Sequence, residues 1–156
     1  MKPMTTFSRM LRAAVLAALL ALPFASAAQA GGKDLIATID KKQMTELMNN
    51  QGYSVSNGED GDIVWQLEGY KVLLLVDKSG ESLLLRASFG KTATTINDVN
   101  QWNQQMRYSR SFLDGDGDPV LELDLDLAGG ISRERIIDYL ATCKTSFVAW
   151  EGSVIK

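Results

Sequence analysis

Apolar and acidic residues fill positions 120 to 127 and alternate strictly from Leu121. Leu121, Leu123, Leu125 and Leu127 fall on one side, and Glu122, Asp124 and Asp126 on the other. Successive side chains of a strand point to opposite faces, so this pattern predicts a half-buried strand. Residues 107–113 predict its partner. Between them, Asp114-Gly115-Asp116-Gly117-Asp118 supplies residues that tolerate the positive φ of a tight reversal. With Gly115 to Gly117 as the loop, Asp114 pairs with Asp118, Phe112 with Val120, and Arg110 with Glu122. That register leaves Ser109 and Ser111 beside the leucines, on a face less apolar than an ideal core.

Upstream, residues 63–67 alternate in the same way, and Glu68-Gly69 reverses the chain into residues 70–76. Asp77-Lys78-Ser79-Gly80 then closes a hairpin into residues 82–89. Here strict alternation fails. Leucine runs at 73–75 and 83–85 place Leu73 and Leu84 opposite their neighbours, so both faces of the sheet centre need cover. Three segments carry helical spacing instead. Asp40, with Gln43 three residues on, opens the first, with Met44, Leu47 and Met48 as its apolar stripe. Thr95 caps the second, with Ile96, Val99, Trp102 and Met106 turned inward. Ser132 caps the third, where Ile136, Leu140, Cys143 and Phe147 form the inward face. The order is helix, three strands, helix, two strands, helix (α-β-β-β-α-β-β-α). It predicts an α+β fold: an antiparallel sheet of about five strands packed with three helices.

The first 30 residues read differently. Lys2, Arg9 and Arg12 precede an apolar run at 13–25, and Ala28-Gln29-Ala30 fits a signal-peptidase site. The run is too short to span a bilayer comfortably. The expectation is a cleaved signal peptide at 1–30, a flexible lead-in at 31–39 and a single domain at 40–156. The protein would then be periplasmic or secreted, with no stable membrane anchor after processing. Removing residues 1–30 takes three of the 16 basic residues and no acidic ones, leaving 13 against 19 and a net charge of −6. Nucleic acid and anionic lipid are disfavoured as partners.

Composition narrows the chemistry. There is no histidine, which removes the usual general base and the commonest zinc ligand. Cys143, the one cysteine, falls on an apolar stripe with nothing to activate it. Asp114, Asp116 and Asp118 imitate the start of a calcium loop. Its sixth position holds Pro119 instead of glycine, and its twelfth holds Leu125 instead of glutamate. A calcium site or hydrolase built on hairpin 114–126 is the alternative function; no cofactor is expected. Asn100 and Asn103 share a helix face beside Trp102. Their amides either grip a partner's backbone or, the plainer reading, tie the helix to a neighbouring strand. Glu122, Asp124 and Asp126 are expected in water, as an acidic strip that could meet a cationic partner.

The densest stretch, 99–131, contains N-x-W-N at 100–103 and R-Y-S-R at 107–110. An Asp/Gly turn, L-E-L-D-L-D-L at 121–127 and Gly129-Gly130 before a helix follow. This pattern resembles the YbjN-like family of bacterial proteins, often labelled sensory transduction regulators. The resemblance covers residues from about 40 to the end. It implies a fold like that of type III secretion chaperones, which are small, acidic, commonly dimeric and bind extended client segments. The expected function is a non-catalytic binding or regulatory protein of the envelope. It would take a protein or peptide partner, with a homodimer possible. Leu73, Leu84, Asn100, Trp102, Asn103, Glu122, Asp124 and Asp126 are the candidate contact residues.

Overall fold

The computed structural model describes residues 34–156. The expected signal peptide lies outside the described residues. The elements run α1 (Lys41–Asn50), β1 (Val55–Asn57), β2 (Ile63–Leu67), β3 (Tyr70–Val76), β4 (Ser82–Ser88), α2 (Ile96–Gln105), β5 (Arg110–Leu113), β6 (Pro119–Asp126) and α3 (Arg133–Val154). They form a six-stranded antiparallel sheet in the order β1-β2-β3-β4-β6-β5. The sixth strand is β1, absent from the expected order. Its three residues, Val-Ser-Asn, are too few to show a period, and pairing with β2 is what makes them a strand.

Helix caps fall where the sequence places them. Asp40 and Thr95 each close a reciprocal capping box, and the Ser132 side chain accepts from the Arg135 amide. Inward sheet residues, among them Trp65, Leu74, Leu85 and Leu123, join one buried cluster with side chains of all three helices: Met44 and Met48, Val99 and Trp102, Leu140, Phe147 and Trp150. The second helix buries a narrower stripe than expected. Val99 and Trp102 go inside, whereas Ile96 and Met106, at its two ends, are exposed.

Part of the expected lead-in is tied to the domain. Ile36 exchanges backbone hydrogen bonds with Ile131, and the Ile39 amide donates to the Gly80 carbonyl at 2.9 Å. The contact is close enough that a Cβ at Gly80 would sit 2.9 Å from the Ile39 carbonyl oxygen. Gly130 likewise leaves room for Leu35. The reason is burial: Ile39 is an apolar residue of the core, and its backbone groups need partners there.

The chain leaves β4, crosses through α2 to the sheet edge at β5, and returns by the Asp/Gly hairpin as β6, between β4 and β5. That route places β6 at the centre of everything the sequence singled out.

Candidate functional site

The hairpin has the register the loop dictates. Arg110 pairs with Glu122, Ser111 with Leu121 and Phe112 with Val120. The Asp114 amide closes the turn on the Asp118 carbonyl. Asp114 also accepts the amides of Asp116 and Asp118, both at 3.0 Å. Its carboxylate therefore serves the turn. Among the described residues no group of three or more His, Cys, Asp or Glu gathers to hold a metal ion.

The inward serines meet two indoles. Trp102 Nε1 donates to Ser109 Oγ at 3.1 Å, and Trp150 Nε1 donates to Ser111 Oγ at 2.8 Å. Asn103 completes the arrangement. Its Nδ2 donates to the Ser111 carbonyl at 2.7 Å while its Oδ1 accepts the Ser111 amide at 2.8 Å. Ser111 faces away from β6, so Asn103 occupies the place a further strand would take on the β5 edge. Trp102, buried, and Asn103, exposed, thus both turn polar groups to β5. Asn100 is exposed on the same helix.

Glu122 corrects the expectation of a wholly solvated acidic strip. It is 3% exposed, held between two arginines on the outward face. Arg86 Nη1 donates to one carboxylate oxygen at 2.6 Å, and Arg110 donates to the other from Nε and Nη2. Both guanidiniums lie about 6 Å from the Phe112 ring centroid, the distance at which a cation is attracted to an aromatic face. Neighbouring strands supply this enclosure, β4 through Arg86 and β5 through Arg110. Two and four residues on, Asp124 and Asp126 have only β4 beside them among the described residues and are exposed.

That difference begins at Tyr108. Its φ of 64° takes the chain out of extended conformation just before β5, and its side chain is exposed. Along β6, backbone groups point alternately to the two neighbours. The carbonyl of Pro119 and the amide of Leu127 bond toward β4, so the odd positions face that strand. The even positions Asp124 and Asp126 face the other way, where β5 has not begun. Among the described residues no strand pairs with them there. Beside this open end lies a cleft of about 510 Å³, lined by Tyr108, Asp124, Arg135, Asp138, Tyr139 and Thr142. Its floor is fixed: the buried Tyr139 hydroxyl accepts the Leu85 amide and donates to the Leu123 carbonyl, bridging β4 and β6. Burial pushes the Tyr139 phenol up from its ordinary value, so it stays protonated. Burial likewise pushes the Cys143 thiol up to about 12, which leaves it without thiolate character.

The outward side of the sheet centre carries the other candidates. Val64 pairs with Leu73 and Leu75 with Leu84, so these four side chains make one contiguous patch. None belongs to the buried cluster, and Leu73 is 36% exposed. Among the described residues, no helix contributes to this face.

The YbjN family profile, described as "putative bacterial sensory transduction regulator", matches residues 40–151. The chain belongs to the YbjN family. Among solved structures it is similar to YbjN of E. coli, described as a putative transcription regulator. The TM-score is 0.59 at 11% identity, over 72% of this chain and 87% of that one. That likeness shows a shared fold across the YbjN domain. A weaker likeness, TM-score 0.46 at 14% identity, covers 67% of this chain and 93% of the Yersinia pestis type III secretion chaperone SycH, solved with a fragment of YscM2. No curated protein matches the sequence.

Proposed function

We propose that this protein is a non-catalytic binding protein of the cell envelope that holds a protein partner on the outward face of its sheet, in the manner of a chaperone or regulator. The observation that carries this reading is the patch of Val64, Leu73, Leu75 and Leu84, left outside the core on three adjacent strands. Leu73 is exposed and the other three are half-buried, and contiguous apolar surface left outside a core marks protein contact sites. Lys71, Arg86 and Asp124, on the same face, give it a mixed charged border. The regulator description of the family agrees with a protein that acts by binding. Self-association across the same patch is the form a homodimer would take.

The envelope part of the reading rests on the sequence of residues 1–30. Export with cleavage after Ala30 gives a protein starting at Gly31, which intact-mass spectrometry of the envelope fraction reads directly. A mass that includes Met1 to Ala30 refutes it.

The binding test compares the mature protein with Leu73→Glu and Leu84→Glu by light scattering, alone and in envelope extract passed over immobilised protein. The expected result is a dimer, or a stoichiometric captured protein, that both variants lose while their melting temperatures hold. A wild type that stays monomeric and retains nothing the variants fail to retain overturns the reading.

A further inference from the structure

We infer that the open end of β6, residues Leu123 to Asp126, is a strand-addition site for an extended polypeptide segment alternating basic and apolar residues. The inference rests on the reading that the protein holds a polypeptide partner, and says where and how an extended part of that partner docks.

Three observations converge. First, β6 outruns β5: pairing with β5 stops at Arg110–Glu122, while pairing with β4 continues to Asp126. The backbone groups of Asp124 and Asp126 consequently face a ladder position that no strand among the described residues takes, and edge groups of this kind are a template for another chain. Second, the chain treats its two edge segments differently. The edge of β5 is closed by the Asn103 amide on Ser111, whereas no side chain does this for Asp124 or Asp126 among the described residues. Tyr108, with φ 64°, turns the preceding segment out of the way, and the cleft of about 510 Å³ beside α3 leaves room for a strand. Third, the charges select the occupant. Arg135 donates to Asp138 at 2.9 Å, so these two satisfy each other. Asp124 and Asp126 carry exposed carboxylates on the outward side of the same edge, that of Asp126 also accepting the Ala128 amide at 2.8 Å.

An antiparallel strand laid here places one residue opposite Asp124 and another opposite Asp126, each in a hydrogen-bonded pair. Opposite charge is favoured at directly facing positions, so those residues are Lys or Arg. Their neighbours turn to the inward side, next to Leu123 and Leu125, and are apolar.

The probe is the blocked peptide acetyl-Val-Lys-Val-Lys-Val-amide, added to the whole protein and followed by amide hydrogen exchange. Slowing of exchange at Asp124 and Asp126 by tenfold or more is expected at saturation. Methylating the two lysine amide nitrogens removes the peptide's ladder donors and sets methyl groups against the edge, and should abolish protection. Methylating the valine nitrogens, which face away, should preserve it. Asp124→Pro removes both the free donor and the carboxylate and should weaken binding at least tenfold. The paired peptides keep the test decisive if that variant does not fold. Absence of protection, or equal protection by the lysine-methylated peptide, overturns the proposal. So does protection of Asp124 and Asp126 without any peptide, which assigns the edge to a second copy or to residues 1–33. The outer-patch test reads Leu73 and Leu84 instead, so failure of either reading leaves a separate signature.

Discussion

The two halves of β6 share one sequence pattern and have opposite fates. In Pro119–Glu122 the strand has β4 on one side and β5 on the other, and its acid is buried. In Leu123–Asp126 it has β4 alone among the described residues, and its acids are exposed. Leucine-acid alternation tells which face each side chain takes. It cannot tell whether a neighbouring strand is present to bring a cation. Glu122 has Arg86 and Arg110 because two flanking strands place them in register. Asp124 has only Leu84 across the ladder. A carboxylate becomes part of the structure when its neighbours enclose it. One that is not enclosed remains available for a partner.

The sharpest way to break this comparison is to truncate each acid. Glu122→Ala removes the carboxylate that satisfies two guanidiniums and leaves a gap beside Phe112. Loss of a buried charge partner ordinarily costs 3–5 kcal/mol. Both arginines reach water here, so about 2–3 kcal/mol is expected. Asp124→Ala should stay within about 0.5 kcal/mol, as surface substitutions do. Urea unfolding of the two variants measures the difference, and equal losses would end the distinction. Next in size is Tyr139→Phe, which deletes the hydroxyl bridging Leu85 and Leu123 and leaves two buried backbone groups to re-pair. A loss of about 1–2 kcal/mol is expected, with faster exchange at the Leu85 amide. Unchanged exchange there would mean the ladder closes without the phenol.

Asn103→Ala tests the edge that is closed. Ser111 would lose both backbone partners, but at a sheet edge water can replace them, so about 1 kcal/mol is expected. Exchange at Ser111 should rise toward that of Asp124. If it does not, the amide is not what closes the β5 edge.

Much of this was legible in the chain. Loop length and Asp/Gly chemistry determine the hairpin register down to Arg110 opposite Glu122. Period and capping residues locate all three helices. The illegible parts share a cause, which is contact between segments distant in sequence. Ser109 and Ser111 look like flaws in an inner face until the indoles of Trp102 and Trp150 meet them. Trp150 lies 39 residues from Ser111, and no periodicity links them. The open end of β6 is the same kind of fact. It depends on Tyr108 turning away, and a left-handed tyrosine leaves no compositional mark, unlike glycine. One partial sign was present in the residues themselves: in the register the loop fixes, the segment at 107–113 reaches only Leu125, which leaves Asp126 and Leu127 beyond it.

Asp98 provides the smallest and cleanest refinement, because it separates a cationic neighbour from burial between strands. It lies at the start of α2, where it accepts from Lys156 Nζ at 2.6 Å and from the hydroxyl and amide of Thr95. The Lys156 contact, followed by the Thr95 hydrogen bonds, lowers its carboxyl to about 2. A carboxyl depressed by folding favours the folded state above its unfolded value, and that contribution disappears as pH falls through the folded value. The tie between α2 and the last residue of the chain should therefore hold above about pH 4 and weaken toward pH 2. Lys156→Ala removes the largest cause and leaves the Thr95 capping box in place. An NMR titration of the Asp98 carboxyl carbon should then show its midpoint rising, but stopping short of the usual aspartate range, because Thr95 still donates twice. Were the Asp98 midpoint to stay put, the capping box alone would account for its acidity. A neighbouring cation would then be insufficient to distinguish one surface acid from another, and the difference between Glu122 and Asp124 would rest on strand enclosure alone.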